Sequence, residues 1–276
     1  MAEILSAKEL ASLKKENKMQ LCMICQFKNG SERLTDWILY HYTEGFDSFV
    51  LFDDYSTDNS VQVLNDLKNN LKINIHVFKT DGQGPVYDHL DQNSNTYLPD
   101  GQFHNRIIRS YMAANNFVKS INPECICAFL DIDEFLVTNN DTNLKNVIGN
   151  IQKDLFYINS FDVSDQFELK KWYSCDKATA QRWDYQSRSE SIYRWRVKSI
   201  AKSKVINEIP LNVGNMIHTL KLIDTEEFYQ NSISDYNFLR IHHFRKPIND
   251  APIVLIHDDT LLNKCKKIKD LYENKI

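Results

Sequence analysis

The sequence lacks three features that mark common classes of protein. Its 33 Lys and Arg are outnumbered by 37 Asp and Glu, which gives a formal net charge of −4. Because a nucleic-acid-binding surface normally leaves an excess of basic residues, we expect no nucleic-acid partner. No run reaches the roughly 18 apolar residues of a membrane-spanning helix. The start MAEILSAKELASLKKENK carries acids and lacks the apolar region of a signal peptide. We therefore expect a cytoplasmic protein without a transmembrane segment.

Cysteine is also sparse, with six in 276 residues. Cys22 and Cys25 have the CxxC spacing, and Cys125 and Cys127 have a CxC spacing. Both pairs lie in apolar, strand-like runs, where cysteine behaves as a small hydrophobic residue. Side chains three apart on a strand face opposite ways, so Cys22 and Cys25 are poorly placed to share one ion. The pattern favours reduced, buried thiols over a zinc site or a disulfide.

Strands and helices alternate through the first half of the sequence. Continuous apolar runs predict strands, and apolar residues at three-and-four spacing predict helices. Asp58 is the expected N-cap of the helix predicted at 61–71. The order is typical of an α/β fold with a mostly parallel central sheet flanked by helices. Strands are predicted at 21–27, 49–52, 73–78, 125–130 and 156–163, helices at 3–18, 34–42, 61–71, 104–120 and 258–274, and a long loop at 82–103.

Ligands of such sheets bind at the carboxyl ends of the strands. The strand ends in question are Gln26–Lys28, Asp53–Asp54 and Lys79–Asp81. They carry charged and hydrogen-bonding side chains, so this edge is the expected binding site.

The strongest chemical pattern is FLDIDEFL, in which a predicted strand leads into Asp131 and Asp133, with Glu134 beside them. Residues two apart on an extended segment point the same way, so the two carboxylates are expected to converge. Mg²⁺ and Mn²⁺ commonly take one or two carboxylates together with substrate phosphates. We interpret Asp131 and Asp133 as ligands of Mn²⁺ or Mg²⁺. The plainer alternative is a solvated turn after a strand.

Two segments together resemble glycosyltransferases of family 92 and of the family-2-like group, which have the GT-A fold. They are KNGSERLTDWILYHYTEGFDSFVLFDDYSTDNSVQVL and CICAFLDIDEFL. Lys198-Ser199, His218 and Ile241-His242-His243-Phe244 are fainter landmarks of the same kind. The resemblance rests on Glu32, Trp37, His41, Gly45, Asp53, Ser56, Asp58, Asp131, Asp133, Glu134 and Phe135.

The resemblance implies a metal-dependent transferase with one GT-A-like domain over residues 1–276. Residues 19–138 form the half that binds nucleotide and metal, 139–257 form the acceptor-side half, and 258–276 form a C-terminal helix. The donor is a nucleotide-sugar, with a UDP-sugar favoured, and the sugar passes to a hydroxyl of a glycan or another acceptor. The resemblance favours transfer with inversion.

The resemblance also implies roles for individual residues. Asp131 and Asp133 bind the donor diphosphate through the cation, with His218 as a third metal ligand and His243 as its rival. An inverting transferase needs a base for the acceptor hydroxyl, and the candidates are Asp162, which we favour, and Asp165, at the end of the strand predicted from residue 156. The nucleotide-binding candidates are Gln26, Lys28, Asp53, Asp54, Arg106, Arg109, Asp131 and Lys198.

Two other functions also fit an Asp-x-Asp pattern after an apolar strand. One is a phosphatase of the haloacid dehalogenase type, in which the first Asp is a nucleophile and the second an acid/base. That pattern normally continues with a small residue and Thr near the chain start, whereas here Glu134 and Phe135 follow. The other is a sugar- or nucleotide-binding module that keeps the fold without turnover.

Overall fold

The computed structural model describes residues 19–80, 105–138, 143–163, 181–184, 197–207, 220, 230–233, 238–244 and 254–257. The predicted helices at 3–18 and 258–276, the predicted loop at 82–103, Asp165 and His218 lie outside these residues. The helices are α1 (Leu34–Thr43), α2 (Ser60–Leu71), α3 (Asn105–Ile121) and α4 (Leu144–Gly149). The strands are β1 (Leu21–Phe27), β2 (Ser48–Asp53), β3 (Asn74–Lys79), β4 (Ile126–Phe129), β5 (Glu134–Val137), β6 (Leu155–Val163), β7 (Gln181–Asp184), β8 (Val197–Lys202), β9 (Ser232–Ile233), β10 (Arg240–Phe244) and β11 (Val254–His257).

The first four strands pair in parallel throughout. β1 lies between β2 and β4, and β3 pairs with the outer edge of β2. Each predicted strand of this half therefore exists within two residues of its predicted bounds, because continuous apolar runs suit strands that are buried on both faces. The prediction of an α/β fold is confirmed.

The alternation of side chains along β1 separates two layers of the core. Met23 and Cys25 face one cluster together with residues of α1 and α2. Cys22 and Ile24 face the other cluster, which α3 covers. All four described cysteines, Cys22, Cys25, Cys125 and Cys127, are buried and free. The opposite facing of Cys22 and Cys25 agrees with their role as hydrophobic core residues.

Antiparallel strands extend the sheet beyond β4. β8 pairs antiparallel with β4 on one side and with β6 on the other. β10 then lies between β5, to which it is antiparallel, and β6, to which it is parallel. The parallel pairing is thus concentrated in the half that precedes residue 130, and the later strands mix both directions.

Two local features of the helix ends follow from single residues. Asn59, not Asp58, occupies the N-cap position of α2, and its side chain makes no capping bond. Asp58 lies one residue earlier, where Oδ1 accepts from the Ser60 N–H at 3.0 Å. Gly45 follows α1 with a φ of +102°, and a Cβ there would lie 2.6 Å from the Lys145 Cβ. This close approach of backbone to side chain requires glycine.

No helix in the described part of the chain combines the length and apolarity needed to cross a membrane.

Candidate active site

The carboxyl ends of β1, β2, β3 and β4 meet at one edge of the sheet, because these strands are parallel. The predicted nucleotide-binding residues Gln26, Lys28, Asp53 and Asp54 therefore lie on neighbouring strand ends. The acidic turn Asp131–Glu134 follows β4 on the other side of β1. The loop after β1 packs tightly against the acidic turn, since a Cβ at Gly30 would lie 2.8 Å from the Ile132 Cδ1.

Hydrogen bonds fasten the loop after β1 to the loop after β2. The Asn29 N–H donates to the Ser56 Oγ at 2.9 Å, and the Ser31 N–H donates to the Asp58 Oδ2 at 3.0 Å. Burial acts to raise the pKa of Asp58, but hydrogen bonds from Ser60 and Ser31 outweigh it and lower that pKa to about 2. Asp58 thus stays ionised and keeps both loops in one arrangement.

Asp53 and Asp54 are both buried, and each already has a partner. The Asp53 Oδ1 accepts from the Ser56 N–H at 2.9 Å, which closes the turn after β2. One nitrogen of Arg106 lies 2.8 Å and 3.1 Å from the two oxygens of Asp54, and the Thr80 hydroxyl donates to Oδ1 at 2.7 Å. Two predicted nucleotide-binding residues, Asp54 and Arg106, therefore bind each other in this structure. A charge-assisted ion pair of this kind holds the ends of β2 and β3 in a fixed position relative to α3.

The remaining nucleotide-binding candidates in this region are less enclosed. Gln26 is half-buried, and its Oε1 accepts from the Ser110 hydroxyl at 2.8 Å, which ties the end of β1 to α3. Lys28 and Arg109 are also half-buried. The roles of these residues in nucleotide binding stay predictions.

The two aspartates of FLDIDEFL lie on a turn and not on an extended strand. β4 ends at Phe129, and the Glu134 N–H donates to the Asp131 carbonyl at 3.0 Å. In return the Asp131 N–H donates to the Glu134 Oε2 at 3.0 Å. These two bonds close a turn over residues 131–134, so the strand alternation from which the convergence of Asp131 and Asp133 was predicted is not present here, and their convergence stays a prediction.

Lys198, near the start of β8, is a buried cation that contacts this turn. Its side chain is 3% exposed, and Nζ lies 2.6 Å from the Asp131 Oδ2 and 3.1 Å from the Glu134 Oε2. Burial acts to lower the pKa of Lys198, but the negative charges of Asp131 and Glu134 outweigh it and raise the pKa well above its usual value. Lys198 is therefore charged and shared between a partly exposed and a buried carboxylate.

Asp133 faces a different set of groups. Its Oδ2 lies 3.5 Å from an Arg33 nitrogen and 3.5 Å from the His243 Nε2. The other ring nitrogen of His243 lies 3.7 Å from the Glu134 Oε1. Of the two histidines weighed as a metal ligand, His243 is thus the one that the described residues place beside the acidic turn.

The register of the strands brings the predicted base towards the same place. His243 on β10 is opposite Glu134 on β5 and opposite Asp162 on β6. The backbone of Asp162 therefore lies two strands from Glu134 in one row across the sheet. The side chain of Asp162 is outside the described residues, and its role as a base stays a prediction.

Side chains of α1 take the place of a neighbouring strand along one edge of β5. The Trp37 indole N–H donates to the Glu134 carbonyl at 2.9 Å, and the Tyr40 hydroxyl donates to the Leu136 carbonyl at 2.8 Å. The Leu136 N–H donates to the His41 Nε2 at 3.3 Å. Because Trp37, Tyr40 and His41 are three and four apart, they lie on one helix face and satisfy the backbone of the strand that carries Glu134.

The carboxylate oxygens of the acidic turn are of the kind that bind a divalent cation. Asp131 and Asp133 expose 43% and 24% of their side-chain surfaces, and Lys198 contacts Asp131 through Oδ2. Within the described ranges, no group of three His, Cys, Asp or Glu side chains is arranged to hold a metal ion. Mg²⁺ and Mn²⁺ need no such group, because they take one or two carboxylates and complete their shell with water and substrate phosphates. The two carboxylates of the turn therefore fit the predicted cation.

Sequence reasoning missed Arg33 and Thr80 as members of this site. Arg33 precedes α1 and Thr80 follows β3, and neither belongs to a recognisable pattern. Their contacts with Asp133 and Asp54 depend on which strands are neighbours.

Two solved structures have a similar chain path. S. aureus TarS is 17% identical with a TM-score of 0.46, over 93% of this chain and 40% of the TarS chain. Glucosyl-3-phosphoglycerate synthase from Mycobacterium tuberculosis, in a complex with Mn²⁺, UDP and glucosyl-3-phosphoglycerate, is 11% identical with a TM-score of 0.40, over 96% of this chain and 81% of that chain. This chain thus spans less than half of the TarS structure. Among curated proteins, none matches this sequence.

A family model covers nearly the whole chain. The model of glycosyltransferase family 92 matches residues 17–269, which include every strand and helix described above. The match extends the resemblance seen in residues 19–138 through the second half of the sheet. The chain belongs to glycosyltransferase family 92, and its α/β fold is of the GT-A type.

Proposed function

We propose that this glycosyltransferase is metal-dependent and transfers a sugar from a UDP-sugar to a hydroxyl of a glycan or another acceptor, with inversion. The observation that carries the proposal is the acidic turn after β4. It presents two partly exposed carboxylates at the edge of the sheet where parallel strands bind ligands. The buried Lys198 contacts one of them, Asp131.

Asp131 and Asp133 would hold Mn²⁺ or Mg²⁺, with His218 as the predicted third ligand and His243 as the rival beside Asp133. When bound, the cation supplies Lewis-acid neutralisation of the charge that grows on the leaving diphosphate. Lys198 would fix the orientation of Asp131 through the 2.6 Å contact. Lys198 is thus proposed to act through Asp131, because its buried ammonium has little surface left for a phosphate.

Arg33 is the exposed cation of the turn, with 44% of its side-chain surface open to solvent. It lies at the start of α1, where backbone N–H groups also favour anions. Arg33 would therefore add positive charge on the diphosphate side of Asp133.

The acceptor side lies towards β6 and β10. Departure of the sugar passes through a state with positive charge at the anomeric carbon, and a base must remove the proton of the acceptor hydroxyl. Asp162 is the proposed base, and its row across the sheet includes His243 and Glu134. In this proposal, His243 and Asp162 on the neighbouring strands β10 and β6 would link the metal side of the site to its acceptor side.

The experiment that tests the proposal measures UDP binding by calorimetry with and without Mn²⁺. We expect wild-type protein to bind UDP only with Mn²⁺, and Asp133→Asn to lose this binding, because one of two proposed ligands is gone. Asp133 is a better probe than Asp131, whose removal would leave the buried Lys198 with one carboxylate. Asp66→Asn, which changes an exposed carboxylate on α2, is the matched control and should bind like wild type.

Two results would contradict the metal site. One is wild-type Mn²⁺-dependent binding in Asp133→Asn, and the other is UDP binding that needs no metal. Release of UDP from a panel of UDP-sugars then identifies the donor. Release of inorganic phosphate from phosphomonoesters would instead indicate the phosphatase.

A further inference from the structure

Tyr55 is the one large hydrophobic side chain that the described part of the chain exposes. Half of its surface, 51%, is open to solvent. It follows Asp53 and Asp54 at the end of β2, on the edge where the nucleotide is proposed to bind. Packing in the core therefore does not explain an aromatic ring at this position.

The backbone of Tyr55 has a φ of +58°, in the left-handed region. This region is disfavoured for a bulky residue and natural for glycine. Bonds on both sides hold Tyr55 in place: the Asp54 N–H donates to the Phe27 carbonyl at 2.8 Å, and the Ser56 N–H donates to the Asp53 Oδ1 at 2.9 Å. Strained residues that their surroundings hold in place concentrate at ligand sites.

The ring has a cation on one side. The Lys79 Nζ, at the end of β3, lies 5.9 Å from the centroid of the Tyr55 ring. This distance is within the range of a cation–π contact. Lys79 thus lies over one side of the ring, and half of the surface of Tyr55 still remains open to solvent for contact with a flat ligand.

We propose that Tyr55 is the residue on which the nucleobase of the donor stacks. This inference rests on the proposed function, because it needs a nucleotide donor at the edge formed by β1, β2 and β3. An aromatic ring stacks on any nucleobase through its face, and the hydrogen bonds on both sides of Tyr55 fix the backbone that carries the ring, which lowers the cost of binding. Tyr55 therefore contributes to affinity for the base and contributes nothing to affinity for the diphosphate.

The test compares two ligands that differ in the base. Calorimetry with Mn²⁺ measures binding of UDP and of inorganic diphosphate to wild type, Tyr55→Phe and Tyr55→Ala. We expect Tyr55→Ala to bind UDP about tenfold more weakly, equivalent to about 1.4 kcal/mol, with unchanged affinity for diphosphate. Tyr55→Phe keeps the ring without the hydroxyl and should bind both ligands like wild type.

Tyr55→Gly separates a role in binding from a role in folding. Glycine relieves the left-handed backbone, so this variant should unfold at a temperature no lower than wild type and still bind UDP as weakly as Tyr55→Ala. A large loss of thermal stability in Tyr55→Gly would assign the ring to folding and overturn the proposal.

The possible outcomes distinguish a failure of this inference from a failure of the proposed function on which it rests. Equal UDP affinity in wild type and Tyr55→Ala overturns the role of Tyr55 while the donor site stands. An equal loss for UDP and diphosphate also overturns it, because the base is then not the contact. If wild type binds diphosphate and UDP equally weakly even with Mn²⁺, the proposed donor site fails and the stacking role fails with it.

Discussion

At the scale of single residues, Lys198 connects stability to the geometry of the site. Replacing it with Met leaves Glu134, 2% exposed, and Asp131 without their shared cation. Removing one partner of a buried ion pair leaves an uncompensated charge, so we expect Lys198→Met to lower the free energy of unfolding by about 3 kcal/mol in urea denaturation.

Lys202→Met is the matched control for Lys198→Met. Lys202 lies on the same strand with 30% of its side chain exposed, and it contacts Asp154 at 2.6 Å. Partly exposed pairs contribute little, so the control should change stability by no more than about 1 kcal/mol. Adding Glu134→Gln to Lys198→Met should restore part of the loss. Equal effects of Lys198→Met and Lys202→Met on the free energy of unfolding would show that the buried ion pair stabilises the protein no more than the partly exposed pair does.

Asp162 carries the prediction on chemistry at the same scale. If Asp162 is the base, Asp162→Asn should lower the rate of sugar transfer at least about 100-fold and leave Mn²⁺-dependent UDP binding unchanged. Asp154→Asn, an exposed carboxylate just before β6, is the control and should transfer sugar at the wild-type rate. Loss of UDP binding together with activity would place Asp162 on the donor side instead.

At the scale of elements, helix α1 carries two buried titratable groups with opposite effects on stability. Burial raises the pKa of Asp36 from 3.8 to about 7, so its contribution to stability is lost as pH rises from about 4 to about 7. Burial lowers the pKa of His41 from 6.5 to about 3, so its contribution is lost as pH falls from about 6.5 to about 3. Between pH 4 and 6.5 the two slopes oppose each other.

Single substitutions on α1 should separate these slopes. Relative to wild type, Asp36→Asn should lose stability faster as pH falls from 6.5 to 4, and His41→Gln should lose it more slowly. Each slope changes by up to about 1.4 kcal/mol per pH unit, the limit for one group. Urea denaturation at several pH values measures the slopes. Slopes equal to those of wild type in both variants would show that neither group is held in its neutral form.

The elements of the parallel half were predictable because their signals are local. The apolar run 21–27 coincides with β1, and the spacing of Leu34, Trp37 and Ile38 marks the buried face of α1. The bonds from Trp37, Tyr40 and His41 to β5 were not predictable, since they join residues about 95 positions apart. The pattern of the sequence is enough to propose Asp131 and Asp133 as metal ligands, whereas the contact of Lys198 with Asp131 depends on β8 lying beside β4.

At the scale of the whole molecule, one sheet joins residues 19–138, the proposed donor half, to the later strands. β8 comes from residues 197–202 and yet lies directly beside β4, with Ile200 opposite Ala128. Without β8, β4 would lose its antiparallel partner, and the buried Glu134 would lose Lys198. Open strand edges and unpaired buried charges are each destabilising. The donor half 19–138 therefore depends on residues far along the chain, although its strands and helices are local.

This dependence predicts the behaviour of a fragment. A chain of residues 17–142 should show helix and strand by circular dichroism but no cooperative unfolding transition, and it should not bind UDP with Mn²⁺. The full chain should unfold cooperatively, because β4, β8 and β6 are continuous in the sheet. A point variant, Ala201→Asp, places a charge at the buried β8 position opposite Cys127 and should imitate the fragment in the full chain. Cooperative unfolding and Mn²⁺-dependent UDP binding by the fragment alone would show instead that the donor half is an independent domain. The acidic turn would then bind the metal and UDP without Lys198.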